Sequence, residues 1–542
     1  MKRFKKIMSV LLTAIMVLAM CIPVLANTVT VTTPSNLPNH TYVAYQIFTG
    51  TQGENKGALG EAAWGTGINE TTFLQALKDD SELGSFFAKC SNAKAVVAAL
   101  STNVTSNTNR AKKVAKLAYA NKKGQGIQLV EGDSELEAGY YLIVDTTDVA
   151  GKPDVANTAL LQVTNNINIE NKTDKPSVEK KVKENVKVPE GDSTYGTKYN
   201  DVADYNIGDA VPFHLIGTVP DMSNYDTYKY VFHDTLSEGL TANVDTNDTN
   251  NQKVIARIYL SSDKIVDAND QDITTNFTTS GISGNTTTSF TVSCDDLKAI
   301  ENITAGKYII VEYSAILNSK AVIGLDGNEN EVYLEYSNKP DQSGSGDNNT
   351  GKTPEDKVIV FTYQLNTTKV DGQVKTKKLE NAEFKLKNAA GKWALVTGGK
   401  VSGWADVEQD GTTLKSDGNG LFTVAGLDDG VYYLKETKAP AGYNVLPNNV
   451  ELTIQATTAN NQKWNNFTPS DALTRLQITA NNTTNDGDKN SGIVNLQVEN
   501  NKGSQLPETG GIGTTIFYVV GVVLMLGAGV LLITKRRMSA KH

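Results

Sequence analysis

The period of apolar and polar positions changes several times along the chain. Residues 41–48, Thr-Tyr-Val-Ala-Tyr-Gln-Ile-Phe, alternate as a half-buried strand does. Helical spacing is clear only around 73–77 and from 111 to 120, and strand patterns return at 139–144 and 159–163. Beyond residue 175 the pattern is of short strands alone. Val178, Lys180 and Val182 share one strand face. Further strands are predicted at 210–216, 228–232, 254–260, 290–292, 308–313 and 332–336, separated by Asn, Asp, Gly and Ser, a spacing that predicts a β-sandwich. A polar stretch from 341 to 350 reads as a flexible linker. A second sandwich is then predicted from strand patterns at 358–361, 382–386, 421–424, 431–434, 450–454 and 493–498.

The expected fold class is therefore mainly β, with tandem Ig-like β-sandwich domains. An N-terminal α+β domain is expected at 27–174, a middle sandwich at 175–340, a linker at 341–357 and a C-terminal sandwich at 358–505. Two longer apolar runs bracket these units. The first, 7–20, follows the basic cluster Lys2, Arg3, Lys5 and Lys6 and precedes Val24-Leu25-Ala26. That order predicts a secretory signal at 1–26, cleaved after Ala26; the run is shorter than the roughly 20 residues a spanning helix needs. The second, 512–533, is long enough to span, and Lys535-Arg536-Arg537 after it would stay on the cytoplasmic side.

Composition narrows the function. The 542 residues exceed one domain, and a formal net charge of −9 gives no basic footprint for nucleic acid. Of the three cysteines, Cys21 falls in the signal, and Cys90 and Cys294 are too far apart in sequence to read as a disulfide framework. The four histidines, His40, His214, His233 and His542, are scattered, so neither a metal site nor a cofactor is expected. No phosphate loop or hydrolase nucleophile motif is visible, and His233 and Asp234, adjacent on a strand, face opposite ways. A turnover enzyme is not expected.

The candidate chemistry lies inside the sandwiches. In the C-terminal one, Lys369 comes early, Glu436 shares a face with Leu434, and Asn500 shares a face with Leu496 and Val498. All three would point into an apolar interior, where unpaired charges are very costly. Desolvation lowers a lysine pKa and raises a glutamate pKa, so both become neutral. A neutral amine can attack the carboxamide, the acid can polarise it and shuttle protons, ammonia leaves, and a Lys–Asn isopeptide bond remains. An ordinary buried salt bridge is the competing reading. Asn501 is the rival acceptor but falls on the opposite face.

Several motifs carry a resemblance. Leu506-Pro507-Glu508-Thr509-Gly510, followed by the apolar span and basic tip, resembles the cell-wall sorting signal read by sortases. That implies attack of a sortase thiolate on the Thr509 carbonyl, loss of the chain from Gly510 onward, and transfer of Thr509 to an amine. Tyr432-x-Leu434-x-Glu436-Thr437-x-Ala439-Pro440-x-Gly442-Tyr443 matches the E-box of Gram-positive pilins, and Lys369-Val370-Asp371 with 379–386 resembles a collagen-adhesin B-type (Cna B) domain. The resemblance assigns the bond to Lys369 and Asn500 with Glu436 as the acid.

Residues 204–213, 231–240 and 334–340 resemble the pilin middle domain that forms an isopeptide bond. It implies Lys180 attacking Asn338 with Asp234 as the acid; Lys181 is the competing amine, and Glu312 or Glu335 the competing acids. The stretch Glu170-Asn171-Lys172-Thr173 lies where pilin backbones place their cross-linking lysine, which implies Lys172, with Lys175 nearby. The expected protein is the backbone subunit of a sortase-assembled pilus, secreted and anchored to the cell wall. Its expected partners are a class C-type pilin sortase, a housekeeping sortase, copies of itself, minor pilins, peptidoglycan and host surface ligands. A minor pilin or a monomeric wall-anchored adhesin are the alternatives.

Overall fold

A computed structural model describes residues 28–35, 39–52, 59–105, 109–156, 158–163, 165–169, 174–185, 194–196, 198–247, 253–280, 289–340, 349–459, 462, 464, 467–503 and 512–539. In the N-terminal unit, Thr28–Thr32 pairs antiparallel with Asp133–Glu137 and parallel with Ile167–Asn168. A second sheet has the order Leu59–Trp64, Tyr42–Gln52, Gly139–Asp145, Thr158–Val163, with Ile127–Leu129 beside Tyr42–Gln52. Helices Glu70–Asp79, Gly84–Phe87, Ala93–Asn103 and Asn109–Ala120 pack with this sheet around Phe48, Phe73, Phe87 and Leu142. Asn69 and Asn92 cap two of them, accepting from Thr72 N and Ala95 N. The helix Ala93–Asn103 goes beyond the predicted pair. Its buried Ala93, Val96, Val97 and Leu100 follow helical spacing and its four alanines favour a helix, so the signal was present in the sequence.

The middle unit is two facing sheets. One runs Tyr199–Asn200, Val178–Lys183, Ala210–Thr218, Tyr308–Leu317, Ala256–Ser261, Gln271–Asp272. The other runs Val202–Asp204, Asp356–Phe361, Asn328–Ser337, Tyr230–Leu236, Ser289–Cys294, Thr278–Thr279. Asp356–Phe361 is not the first strand of the C-terminal sandwich, as the pattern predicted. It lies inside the middle sheet, parallel to Val202–Asp204 and antiparallel to Asn328–Ser337, and Thr350–Lys352 pairs there too. Val358, Ile359, Val360 and Phe361 are all fully buried. Such an unbroken apolar run fits a strand covered on both faces, which period alone does not assign to either neighbour.

Only Thr362 separates that strand from Tyr363–Asp371, the first strand of the C-terminal unit. Among the described residues this unit is one eleven-stranded sheet, ten strands in a single path and Leu414–Lys415 off it beside Glu383–Asn388. Its chain-distant strands Tyr363–Asp371 and Ile493–Asn500 lie parallel, with Lys369 opposite Val498 and Asp371 opposite Asn500. The two sandwiches share a continuous apolar core. Ile207 N donates to Gly426 O at 3.0 Å, and Tyr363 OH to Asp204 Oδ2 at 3.0 Å. Backbones meet closely at Gly324 and Gly492, both at positive φ, where a Cβ on either would come within 2.5 Å of the other. The helix Ile512–Ser539 contains a stretch, Thr515–Ser539, of mean hydropathy 2.7, unburied and long and apolar enough to cross a membrane.

Candidate isopeptide-forming sites

In the C-terminal unit the three side chains singled out by their spacing meet. Lys369 is carried by Tyr363–Asp371, Glu436 by Gly430–Lys438 and Asn500 by Ile493–Asn500, and all three side chains are closed to solvent. Lys369 Nζ contacts Asn500 Oδ1, donates to Val498 O at 3.3 Å, and lies 3.6 Å from Glu436 Oε1. Asn500 Nδ2 donates to both Glu436 oxygens at 3.0 Å and to Asn444 O at 2.9 Å. Leu446 N holds Glu436 Oε2 at 2.8 Å. Burial pushes the Lys369 amine down to about 8, against the opposing pull of Glu436. An amine near neutrality thus rests on a carboxamide whose nitrogen is held by a carboxyl group. Asn501, the rival acceptor, is exposed.

In the middle unit two of the three predicted residues meet. Lys180 Nζ contacts Asp234 Oδ2 between the two sheets, and both side chains are fully buried. Burial drives Lys180 down and Asp234 up, in each case against the attraction of the other. The competing acids are engaged elsewhere: Glu312 with His214 at 2.8 Å, and Glu335 with His233 and Lys229, each at 2.9 Å. Lys181 faces the other side of its strand and pairs with Asp201 at 2.5 Å.

Asn338 is not in this site. It follows the strand Asn328–Ser337, and its Nδ2 donates to Val149 O at 2.6 Å and Asp154 O at 3.1 Å, in the loop by which the N-terminal unit docks. The carboxamide that stands near Lys180 is that of Asn330, eight positions earlier and so about 26 Å away along an extended strand. Asn330 pairs in register with Leu236, two residues from Asp234. It is fully buried, its Nδ2 donates to Tyr313 OH at 2.7 Å, and its Oδ1 has no hydrogen-bond partner. Tyr313 OH in turn donates to Asp234 and lies 3.2 Å from Lys180 Nζ, and Lys180 Nζ reaches Glu331 O at 3.5 Å. Asn330 and Tyr313 were missed from the sequence. The signal for Asn330 was present: it is in phase with the inward Val332, Leu334 and Tyr336.

A second group also escaped the sequence reading, because its members come from separate parts of the chain. Asp204, Asp428 and Asp429 are buried together at the junction of the two sandwiches, with carboxylate oxygens within 4.8 Å of one another. Burial, then the charges of Asp204, Asp429 and Glu184, push the Asp428 carboxyl well above its ordinary value. The predicted signal 1–26, the lysine Lys172 and the sorting residues Leu506, Pro507, Glu508, Thr509 and Gly510 lie outside the described residues.

The SpaA family, described as a prealbumin-like fold domain, matches residues 363–468, beginning where the C-terminal unit begins. The LPXTG cell wall anchor motif matches residues 498–539, which places the chain at the cell wall surface. The chain is similar to the trypsin-resistant surface T6 protein of Streptococcus pyogenes serotype M6, 26% identical over 61% of this chain and 65% of that protein, so the match spans just under two thirds of its relative. Among solved structures, it is similar to the T6 backbone pilin of S. pyogenes (18% identity, 88% of this chain and 98% of that one, TM-score 0.47). It is also similar to the pilus 2b backbone protein of group B streptococcus (24% identity, 56% and 97%, TM-score 0.38).

Proposed function

We propose that this chain is the backbone subunit of a sortase-polymerised pilus, stiffened by two intramolecular Lys–Asn isopeptide bonds. The observation that carries the reading is the solvent-free Lys369–Glu436–Asn500 constellation, which joins the first and last strands of a domain followed directly by a wall anchor motif. In each bond the neutral amine attacks the carboxamide carbon, the acid accepts the amine proton, and the same proton leaves on the amide nitrogen as ammonia. Lys369 is joined to Asn500 with Glu436 as the acid, and Lys180 to Asn330, in place of Asn338, with Asp234 as the acid. Such bonds close long covalent loops, which suits an extracellular shaft whose described cysteines, Cys90 and Cys294, are free. Each forms once, so the chemistry is maturation of a structural protein and not turnover.

Between subunits, Thr509 of one copy is joined to Lys172 of the next by a class C-type pilin sortase, and a housekeeping sortase transfers the finished polymer to peptidoglycan. Minor pilins and host surface ligands are the remaining partners. The reading is tested on cell-wall extracts run in SDS: a ladder of covalent multimers is expected, and a single monomer band would leave a wall-anchored adhesin instead.

A further inference from the structure

The two sites differ in how the acid reaches the carboxamide. Glu436 touches the departing nitrogen of Asn500 directly, through both oxygens. Asp234 has a side chain one methylene shorter and makes its hydrogen bonds to Lys180 and Tyr313. Asn330 reaches that carboxyl only through the Tyr313 hydroxyl, which accepts from Nδ2 at 2.7 Å and donates to Asp234 at 3.0 Å. The ring is fixed by stacking on Phe213, centroids 5.4 Å apart, and by the edge contact with Phe290 at 5.0 Å. The hydroxyl therefore touches the attacking nitrogen, the leaving nitrogen and the acid, and among the described residues no other side chain does so.

The geometry points to Tyr313 as a catalytic residue of the middle site, relaying the proton from Asp234 to the nitrogen that leaves Asn330. This rests on the bond proposed between Lys180 and Asn330. While Asn330 is an amide, Nδ2 is planar and donates to the tyrosine oxygen. When Lys180 Nζ adds to Cγ, its proton passes to Asp234, and Nδ2 becomes pyramidal with a free lone pair. The hydrogen bonds then reverse: Tyr313 gives its proton to Nδ2 and takes the proton of Asp234. The C–N bond breaks, ammonia leaves, and both Asp234 and Tyr313 return to their starting states. The C-terminal site needs no such relay because its longer acid does both tasks.

The full-length chain is made by cell-free synthesis, sampled over time and digested. Linked and unlinked peptides for both sites are counted by mass spectrometry in each sample. Tyr313→Phe is expected to slow the Lys180–Asn330 link roughly a hundredfold, the usual scale for one proton-transfer group, while the Lys369–Asn500 link forms at the wild-type rate and shows that the chain has folded. A Lys180–Asn330 link at the wild-type rate in Tyr313→Phe overturns the relay. A wild-type chain that never links these residues overturns the bond itself. If Tyr313→Phe forms neither link, a ring-fluorinated tyrosine at position 313 decides: it keeps the packing but makes the phenol more acidic. A shift in the pH profile of the Lys180–Asn330 link supports the relay, and an unmoved profile overturns it.

Discussion

Lys180 and Lys181 are neighbours on one strand, and their amines end on opposite sides of the sheet, Lys180 on Asp234 within the sandwich and Lys181 at 2.5 Å from Asp201 on the outer face. Trp464 N, from the C-terminal unit, lies 3.4 Å from Asp201 Oδ2, so the outer pair belongs to the junction of the two sandwiches. Lys180→Ala should restore one ammonia to the mass of the chain. Lys181→Ala should keep both ammonia losses but strand a buried carboxylate, at a cost of about 3 kcal/mol. Peptide mapping and thermal melts of the two variants check both halves. An ammonia regained in Lys181→Ala would mean that the strand face was misassigned.

The two asparagines of the next strand pair separate in the same way. Asn330→Ala should abolish the Lys180 link. Asn338→Ala should keep it and instead loosen the docking of the N-terminal unit, since Asp154 O loses its Asn338 donor and Val149 O is left with Lys152 N alone at 3.1 Å. Each group left unsatisfied costs about 1–3 kcal/mol. Faster proteolytic nicking within 146–156 is the expected readout for Asn338→Ala, with the middle bond intact. Loss of the bond in Asn338→Ala alone would restore the assignment made from sequence.

These two pairs show how far the sequence could be read. The Lys369–Glu436–Asn500 site was legible because each member sits on a strand with clean alternation, and face assignment is then a matter of counting. In the middle unit the same counting chose Lys180 over Lys181. It failed for the acceptor because Asn338, just past the strand Asn328–Ser337, is in the same phase as Asn330, and phase carries no information about which end of a strand faces a given lysine. Only the register of Asn328–Ser337 against Tyr230–Leu236 decides that. The boundary at Thr362 failed for a related reason. A fully apolar strand such as Asp356–Phe361 gives no clue to which sheet it joins, and the polar stretch before it drew the division too early. The buried Asp204, Asp428 and Asp429 are gathered by packing between domains, which no local spacing records.

The amine of Lys369 offers a pH signature. In Asn500→Ala the lysine stays free, and burial holds its pKa near about 8 against 10.5 for an ordinary lysine. Between these values the unfolded chain binds more protons than the folded one, so stability rises with pH across that window. Below about 8 both states carry the proton, so the full penalty of holding a charged, buried amine is present and does not vary with pH. Chemical denaturation of Asn500→Ala from pH 7 to pH 10, compared with Lys369→Met/Asn500→Ala, should show a positive slope in the first variant only. Equal slopes would mean that the Lys369 site admits water.

His40 ties the docking loop to the N-terminal sheet. Its Nδ1 lies 2.6 Å from Asp145 Oδ2 and its Nε2 2.8 Å from Asp154 Oδ2. Burial opposes the charge, but the hydrogen bonds to Asp154 and Asp145 outweigh it and raise the imidazole above its ordinary 6.5. A raised pKa means that the stabilisation is complete below 6.5 and is lost as pH rises through the folded-state value. Cleavage within 146–156 should therefore accelerate with rising pH in the wild type. His40→Gln should nick quickly at every pH, and a protected His40→Gln at pH 5 would remove the histidine from the latch.

The last prediction concerns which amine receives Thr509. An assembling sortase resolves its acyl-enzyme with one exposed lysine, and several candidates are already occupied. Lys180 and Lys369 are buried and, on the proposed reading, consumed. Lys175 donates to Pro153 O at 2.9 Å and lies 3.3 Å from Asp154, so its amine helps to hold the docking loop. Using it would cost those contacts. Lys172, three positions earlier in the sequence, lies outside the described residues and is the acceptor in the proposed scheme. Thr509 is six residues beyond Gly503, hence within about 20 Å of the C-terminal unit. Lys172→Ala should abolish the covalent ladder while both internal bonds and attachment of monomer to the wall persist. Thr509→Ala should abolish ladder and attachment together. A ladder that survives Lys172→Ala and disappears in Lys175→Ala would move the junction to Lys175, at the expense of the loop contact. A ladder indifferent to both would require an acceptor elsewhere on the surface.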